Sequence, residues 1–180
     1  MIYLLVIISL LLFIVMQPEA MIACGVSDTS LANAFRYVFM HASWLHLLIN
    51  CVSLLLLWIP VKRIYCIRYN TNTYWLSVFV YASAILAGLA CAVDVPTVGM
   101  SGCVFFLLGV VLMLNPTMRQ LRNYIWVALC TIVQLFFGKS NVPLHLFAFV
   151  EGCIYICMRE FLYQYTHKTG LFSANENECR

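Results

Sequence analysis

Charged residues are scarce in this sequence, since Asp, Glu, Lys and Arg together make up 9% of its 180 residues. Soluble globular domains carry about a quarter charged residues. Hydrophobic residues make up 64% of the chain, and the mean hydropathy is +0.94. This composition excludes a soluble globular domain and predicts an integral membrane protein.

Several patterns typical of other classes of protein are also missing. The nine cysteines contain no Cys-x-x-Cys pair, and Cys153 and Cys157 are explained as small apolar packing residues on one helix face. We therefore predict no metal site, no disulfide framework and no cofactor. The sequence has no internal repeat, which weighs against a transporter built from two symmetric halves.

Six apolar segments have the length of membrane spans, which need about 20 apolar residues and sometimes as few as about 17. They lie at 2–16, 41–60, 74–93, 99–114, 121–137 and 143–160. We predict an all-α membrane protein with one six-helix domain over residues 1–160 and a short polar cytoplasmic tail at 161–180. The fourth span is short, so its outer end should lie below the membrane surface and requires a water-filled cavity.

The basic residues are distributed unevenly between the two sides of the predicted membrane. If the N-terminus is cytoplasmic, eight of the ten lie in inner segments, and only Arg36 and Lys139 lie in outer ones. The eight are Lys62, Arg63, Arg68, Arg119, Arg122, Arg159, Lys168 and Arg180. Because cytoplasmic segments carry an excess of Lys and Arg, we predict that both termini are cytoplasmic.

Polar side chains within the apolar spans collect near the outer ends of three predicted helices. The second span carries His41, His46 and Asn50, the fourth begins near Ser101, and the sixth carries His145. His46 and Asn50 are four residues apart and therefore share one helix face. Because polar groups within a membrane are costly, these residues are functional candidates.

Ser101 lies between two glycines, in the sequence Gly99-Met100-Ser101-Gly102, where a substrate backbone could approach its hydroxyl. A serine hydroxyl is a weak nucleophile and needs a base within hydrogen-bond reach. We predict that His145 is this base. The spans contain no buried aspartate that could act as a third member, so the pattern indicates a dyad.

Small residues and one aromatic residue favour contact between the fourth and sixth helices. Ala148 and Gly152 would let the sixth helix approach closely, and Gly102 would offer the matching gap on the fourth. Phe105 lies one turn below Ser101, where it could pack under the imidazole.

Negative charge on a tetrahedral intermediate needs fixed hydrogen-bond donors. Asn50 and His46 could supply them, together with the backbone N–H of Ser101 at the start of the fourth helix. Each group also has a structural interpretation, since the serine can bond to its own helix and His or Asn can bridge helices. Their joint occurrence on one side of the membrane favours catalysis.

For Glu151, in the sixth span, a structural hydrogen bond is favoured over a catalytic role.

The three motifs together resemble the rhomboid family of intramembrane serine proteases. That family has two His and an Asn on its second helix, Gly-x-Ser-Gly at the start of its fourth, and a His followed by small residues on its sixth. The matching residues here are His41, His46, Asn50, Gly99, Ser101, Gly102, His145, Ala148 and Gly152. Order, spacing and helix number agree across the six-helix core.

The resemblance implies a serine endopeptidase with Ser101 as nucleophile, His145 as general base and acid, and an oxyanion hole formed by His46, Asn50 and the Ser101 amide. It implies transmembrane substrates cut near their outer end and a fifth helix that acts as a lateral gate. We expect membrane-protein substrates and the lipid bilayer as partners, no nucleic acid, and a bacterial plasma membrane as location. The alternative is a catalytically silent rhomboid-like protein that binds or escorts membrane clients.

Overall fold

A computed structural model describes residues 1–27, 30–92, 96–114 and 141–169 of the chain. Within these ranges the protein is helical, with seven α-helices, a 3₁₀ turn and an isolated β-bridge between Val26 and Thr97. The helices are α1 (Ile2–Val15), α2 (Pro18–Ala23), α3 (Leu31–Arg36), α4 (Trp44–Tyr69), α5 (Tyr74–Ala90), α6 (Ser101–Leu114) and α7 (Val142–Thr169). The predicted span at 121–137 and most of the predicted tail lie outside the described residues.

Two of the described helices, α4 and α7, are long and apolar enough to cross a membrane. Three shorter apolar helices, α1, α5 and α6, coincide with predicted spans. Helix α6 has 14 residues, which at 1.5 Å per residue gives a length of about 21 Å. The described range that contains Ser101 ends at Leu114, so this is the length of the described part of α6.

Helix α4 differs from the predicted span at both ends. It begins at Trp44, because the Ser43 side chain accepts a hydrogen bond from the His46 N–H at 3.2 Å and caps the first turn. It continues through Pro60 and ends at Tyr69, and the next residue, Asn70, stops the helix in the left-handed conformation with a φ of 45°. Helix α7 likewise continues to Thr169, beyond the predicted boundary at residue 160.

Helix α6 is the central helix of the described fold. All of its residues are buried except Leu112 and Met113, and it packs against α4, α5 and α7. A helix that is apolar on every side is expected in such a position.

Two glycines bring the backbones of α6 and α7 into contact. A Cβ built at Gly109 would lie 2.3 Å from the Phe149 carbonyl oxygen, and one built at Gly152 would lie 2.1 Å from the Phe106 carbonyl oxygen. Side chains at these positions would force the helices apart. Ala148, which is fully buried, lies one turn before Gly152 on α7.

The segment between α1 and α4 inserts one aromatic side chain into the helical core. Tyr37, in the 3₁₀ turn Tyr37–Phe39, is fully buried and packs against Gly88, where a Cβ would lie 2.7 Å from its ring. Its hydroxyl donates to the Ala84 carbonyl oxygen on α5. Burial raises the pKa of Tyr37 well above its usual value, which keeps the hydroxyl protonated as a donor.

Candidate active site

The side chains of Ser101 and His145 meet between α6 and α7. The distance from His145 Nε2 to Ser101 Oγ is 2.9 Å, within hydrogen-bond range. Ser101 is the first residue of α6, and His145 lies in the first turns of α7. Both are buried, at 4% and 7% relative exposure, so water is largely excluded from the contact.

The turn that precedes Ser101 is held by backbone contacts. Gly99 has a φ of +114°, a conformation that favours glycine. Its N–H donates to the Tyr37 carbonyl oxygen at 2.9 Å. Tyr37 therefore fixes the approach to Ser101 through its backbone, while its side chain packs between α5 and α6.

Phe105 forms the floor under the imidazole of His145. The two ring centroids are 4.5 Å apart and the planes are inclined by 12°, so the rings are stacked. Phe105 is four residues after Ser101 and on the same face of α6. It therefore limits the orientations that His145 can adopt beside the serine.

His46 and Asn50 converge on the backbone of Gly99. A Cβ built at Gly99 would lie 2.9 Å from His46 Nε2 and 3.2 Å from Asn50 Nδ2, so a larger residue would displace both side chains. Asn50 is 1% exposed, and neither its Nδ2 nor its Oδ1 has a hydrogen-bond partner among the described residues. Its Nδ2 lies beside the turn that precedes Ser101.

His41 lies just before α4, and its ring packs against the ring of His46. It is fully buried, its Nδ1 is 3.2 Å from the Phe39 carbonyl oxygen, and its ring meets the His46 ring edge-on at 5.2 Å between centroids. Its Nε2 has no partner in the described part of the chain. The five polar residues predicted for the site thus lie on one side of the fold: His41, His46, Asn50, Ser101 and His145.

The rhomboid domain model matches residues 28–160. The chain belongs to the rhomboid family. The match includes every residue that the sequence analysis assigned to the site, and a comparison with curated proteins gives no significant match. The family resemblance predicted from the motifs is therefore confirmed, and the described part of this rhomboid membrane protein is helical.

One positional expectation for this rhomboid site is wrong. We expected Gly102 to face the helix that carries His145, but a Cβ at Gly102 would contact Ala84 on α5 at 3.2 Å and the Tyr37 hydroxyl at 3.3 Å. Successive helical residues are about 100° apart, so Gly102 points away when Ser101 faces His145. The glycine of α6 that faces α7 is Gly109.

Glu151 contacts α5 rather than the rhomboid dyad. The Ser83 hydroxyl on α5 donates a hydrogen bond to the Glu151 carboxylate. Glu151 is six residues after His145, which directs the two side chains to different sides of α7. The contact agrees with the structural hydrogen bond that the sequence analysis favoured.

Sequence reasoning missed two residues that hold this rhomboid site together, Tyr37 and Asn141. Asn141 precedes α7 and accepts a hydrogen bond from the Leu144 N–H at 3.1 Å. The sequence Asn141-Val142-Pro143 is a recognisable helix start and could have revealed it. No local pattern marks Tyr37, because its position depends on the packing of α5 against α6.

Among the described residues, no group of three or more His, Cys, Asp or Glu side chains could hold a metal ion.

Proposed function

We propose that this rhomboid protein is an intramembrane serine endopeptidase that cleaves transmembrane segments of other membrane proteins near their outer end. The observation that carries this proposal is the 2.9 Å contact between His145 Nε2 and Ser101 Oγ. A serine that bonded only to its own helix would not need an imidazole from a second helix. The stacked Phe105 ring further supports a fixed orientation of the base.

In the proposed reaction Ser101 Oγ attacks the scissile carbonyl carbon while His145 Nε2 accepts the hydroxyl proton. The C–N bond then breaks as the imidazolium returns this proton to the leaving amine, which leaves an acyl group on Ser101. A water molecule, deprotonated by His145, hydrolyses the ester and restores the serine. The pair therefore needs no third residue to balance the proton transfers.

The proposed oxyanion hole consists of Asn50 Nδ2, the His46 imidazole and the Ser101 backbone N–H. The two side chains converge on Gly99 within the turn before the serine. The N–H of Ser101, the first residue of α6, is one of the donors that a helix leaves without an intrahelical partner. Preorganised donors of this kind stabilise the charge that develops on the carbonyl oxygen.

We further propose a six-span topology in which α6 is the short fourth span and the predicted span at 121–137 is the fifth, acting as the lateral gate. Both termini then lie in the cytoplasm of a bacterial cell, and the dyad opens to the outer side of the plasma membrane. Arg68, Arg159 and Lys168 support this orientation, because they lie late in α4 and α7, far from the dyad. A reporter fused to the C-terminus tests it directly.

The deciding experiment compares variants of the full chain, purified in detergent, on a model transmembrane substrate with helix-breaking residues. Ser101→Ala and His145→Ala are expected to abolish cleavage and labelling by a fluorophosphonate probe. The matched control is Ser77→Ala, because Ser77 is also buried but donates to its own helix at Thr73 O, 2.8 Å away. This control should cleave like the wild type.

Undiminished cleavage by Ser101→Ala would show that the proposed nucleophile is wrong. A folded wild-type chain that neither cleaves the substrate nor reacts with the probe would instead favour a silent, client-binding rhomboid protein.

A further inference from the structure

We propose that Asn141 is a positioning residue that sets the distance between the base and the nucleophile. Its side chain joins the start of the helix that carries His145 to the segment that leads into Ser101. This inference rests on the proposed protease function and extends it to a residue that does not touch the substrate.

Two oxygens of Asn141, the side-chain Oδ1 and the backbone carbonyl oxygen, bond to the first turn of α7. Its Oδ1 accepts a hydrogen bond from the Leu144 N–H at 3.1 Å, and its backbone carbonyl accepts one from the His145 N–H at 3.2 Å. The first of these bonds caps the helix, and the second fixes the backbone of His145 itself. A shift of Asn141 therefore moves the residue that carries the base.

The side-chain nitrogen of Asn141 binds two groups outside α7. Nδ2 donates to the Cys91 carbonyl oxygen at the end of α5, at 2.7 Å, and to Thr97 Oγ1 at 3.2 Å. Thr97 also forms a two-bond bridge with Val26, with both N–O distances at 2.9 Å. The amide is thus attached to a segment that is itself held in place.

The two attached residues, Asn141 and Thr97, are equally far along the sequence from His145 and Ser101. Asn141 precedes His145 by four residues, and Thr97 precedes Ser101 by four residues. Asn141 is only 6% exposed, so water competes little for these bonds. Displacement of reacting groups by about 1 Å can reduce turnover by about a hundredfold. A buried crosslink close to both groups is well placed to prevent such a displacement.

The side-chain chemistry separates this role from simple helix capping. An aspartate can accept the Leu144 N–H but cannot donate to Cys91 or Thr97, whereas an alanine can do neither. If Asn141 served only as a cap, Asn141→Asp would preserve function. If the crosslink matters, Asn141→Asp should fail although the cap is kept.

The test measures cleavage of the model substrate and the rate of fluorophosphonate labelling for Asn141→Asp, Asn141→Ala and Thr97→Val in the full chain. We expect both Asn141 variants to lower kcat by about 10–100-fold with little change in KM, and labelling to slow by a similar factor. Thr97→Val, which leaves the cap intact and keeps the side-chain shape, should lower both by about 3–10-fold. Rates are normalised to the folded fraction.

The matched controls are Asn72→Ala and Asn72→Asp. Asn72 Oδ1 likewise accepts a hydrogen bond at the start of a helix, from the Tyr74 N–H at 3.1 Å, but it is exposed and lies at the start of α5. These variants should keep wild-type kcat.

Wild-type kcat in Asn141→Asp and Thr97→Val would overturn the inference while leaving the protease function intact. A loss of activity that disappears after normalisation to the folded fraction would also overturn it, because Asn141 would then only stabilise the fold. A wild-type chain that neither cleaves nor labels would overturn the proposed function and this inference with it.

Discussion

The two ends of α4 and α7 differ in whether particular polar side chains have hydrogen-bond partners among the described residues. At the Ser101 end, Asn50 and the Nε2 of His41 are buried without partners among the described residues. At the other end, Glu160 Oε2 accepts hydrogen bonds from Arg68 Nε and from the Tyr69 hydroxyl, each at 3.0 Å. The two regions are about 33 Å apart along α4, because Arg68 follows His46 by 22 positions at 1.5 Å each.

We interpret this difference as a division between the proposed reaction at the Ser101 end of these helices and helix packing at the Glu160 end. A buried polar group without a partner costs about 1–3 kcal/mol, and the proposed function accounts for Asn50 as a donor to the oxyanion. The Arg68–Glu160 pair is partly exposed, at 39% and 29% for the two side chains, and such pairs contribute about 0–1 kcal/mol. The proposed reaction takes place at one end, and the contacts at the other end join the helices.

The sharpest test of this comparison is Asn50→Ala. We expect turnover to fall by about 10–1,000-fold, the range for removing one oxyanion donor. The free energy of unfolding should stay the same or rise, because an unpaired amide is removed. Cys51→Ala, at the neighbouring buried position, is the control for loss of volume in α4. A strong loss of stability with unchanged turnover would show that Asn50 is structural.

A smaller effect is expected for Phe105→Leu. The variant removes the ring that stacks on His145 at 4.5 Å, and aromatic pairs contribute about 0.5–1.5 kcal/mol beyond their burial. We expect kcat to fall by about 2–13-fold, the same energies expressed as rates. Phe106→Leu is the matched control, since that ring packs on Tyr155 instead. Equal losses of kcat in both variants would mean that general packing, rather than stacking on the base, is responsible.

The smallest effect is expected for Glu160→Gln at the opposite end. Loss of the ion pair with Arg68 should lower the free energy of unfolding by less than about 1 kcal/mol. Turnover should stay within about twofold of the wild type, since the site lies far away. Thermal unfolding and cleavage assays of the same preparation measure both quantities. A tenfold drop in kcat would break the separation between the two ends.

Much of the fold and the site could be predicted because both follow from simple periodicities. The apolar runs predicted α1, α5 and α6, and the polar residues near one end of the second, fourth and sixth predicted spans indicated which side chains meet. The contact between Ser101 and His145 could be foreseen because small residues flank both groups. The family was recognisable from the same three motifs.

The misplaced boundaries have local physical causes. Hydropathy ends the second span near residue 60, but α4 continues because Tyr65 and Tyr69 are buried against α7, where the Tyr65 and Tyr155 hydroxyls are 2.9 Å apart. His41 lies outside α4 because the Ser43 side chain caps the helix after it. The facing of Gly102 and the insertion of Tyr37 depend on how α5 and α6 pack, which no local sequence pattern encodes.

The backbone contacts at Gly109 and Gly152 have a kinetic consequence. Because α6 and α7 touch without intervening side chains, Ser101 and His145 already lie in hydrogen-bonding geometry in the protein without substrate. In the proposed protease, selection among membrane proteins then takes place before bond breaking, in the frequency with which an unwound peptide bond arrives at Ser101. The slow step of the cycle is accordingly expected to be substrate delivery rather than assembly of the reacting groups.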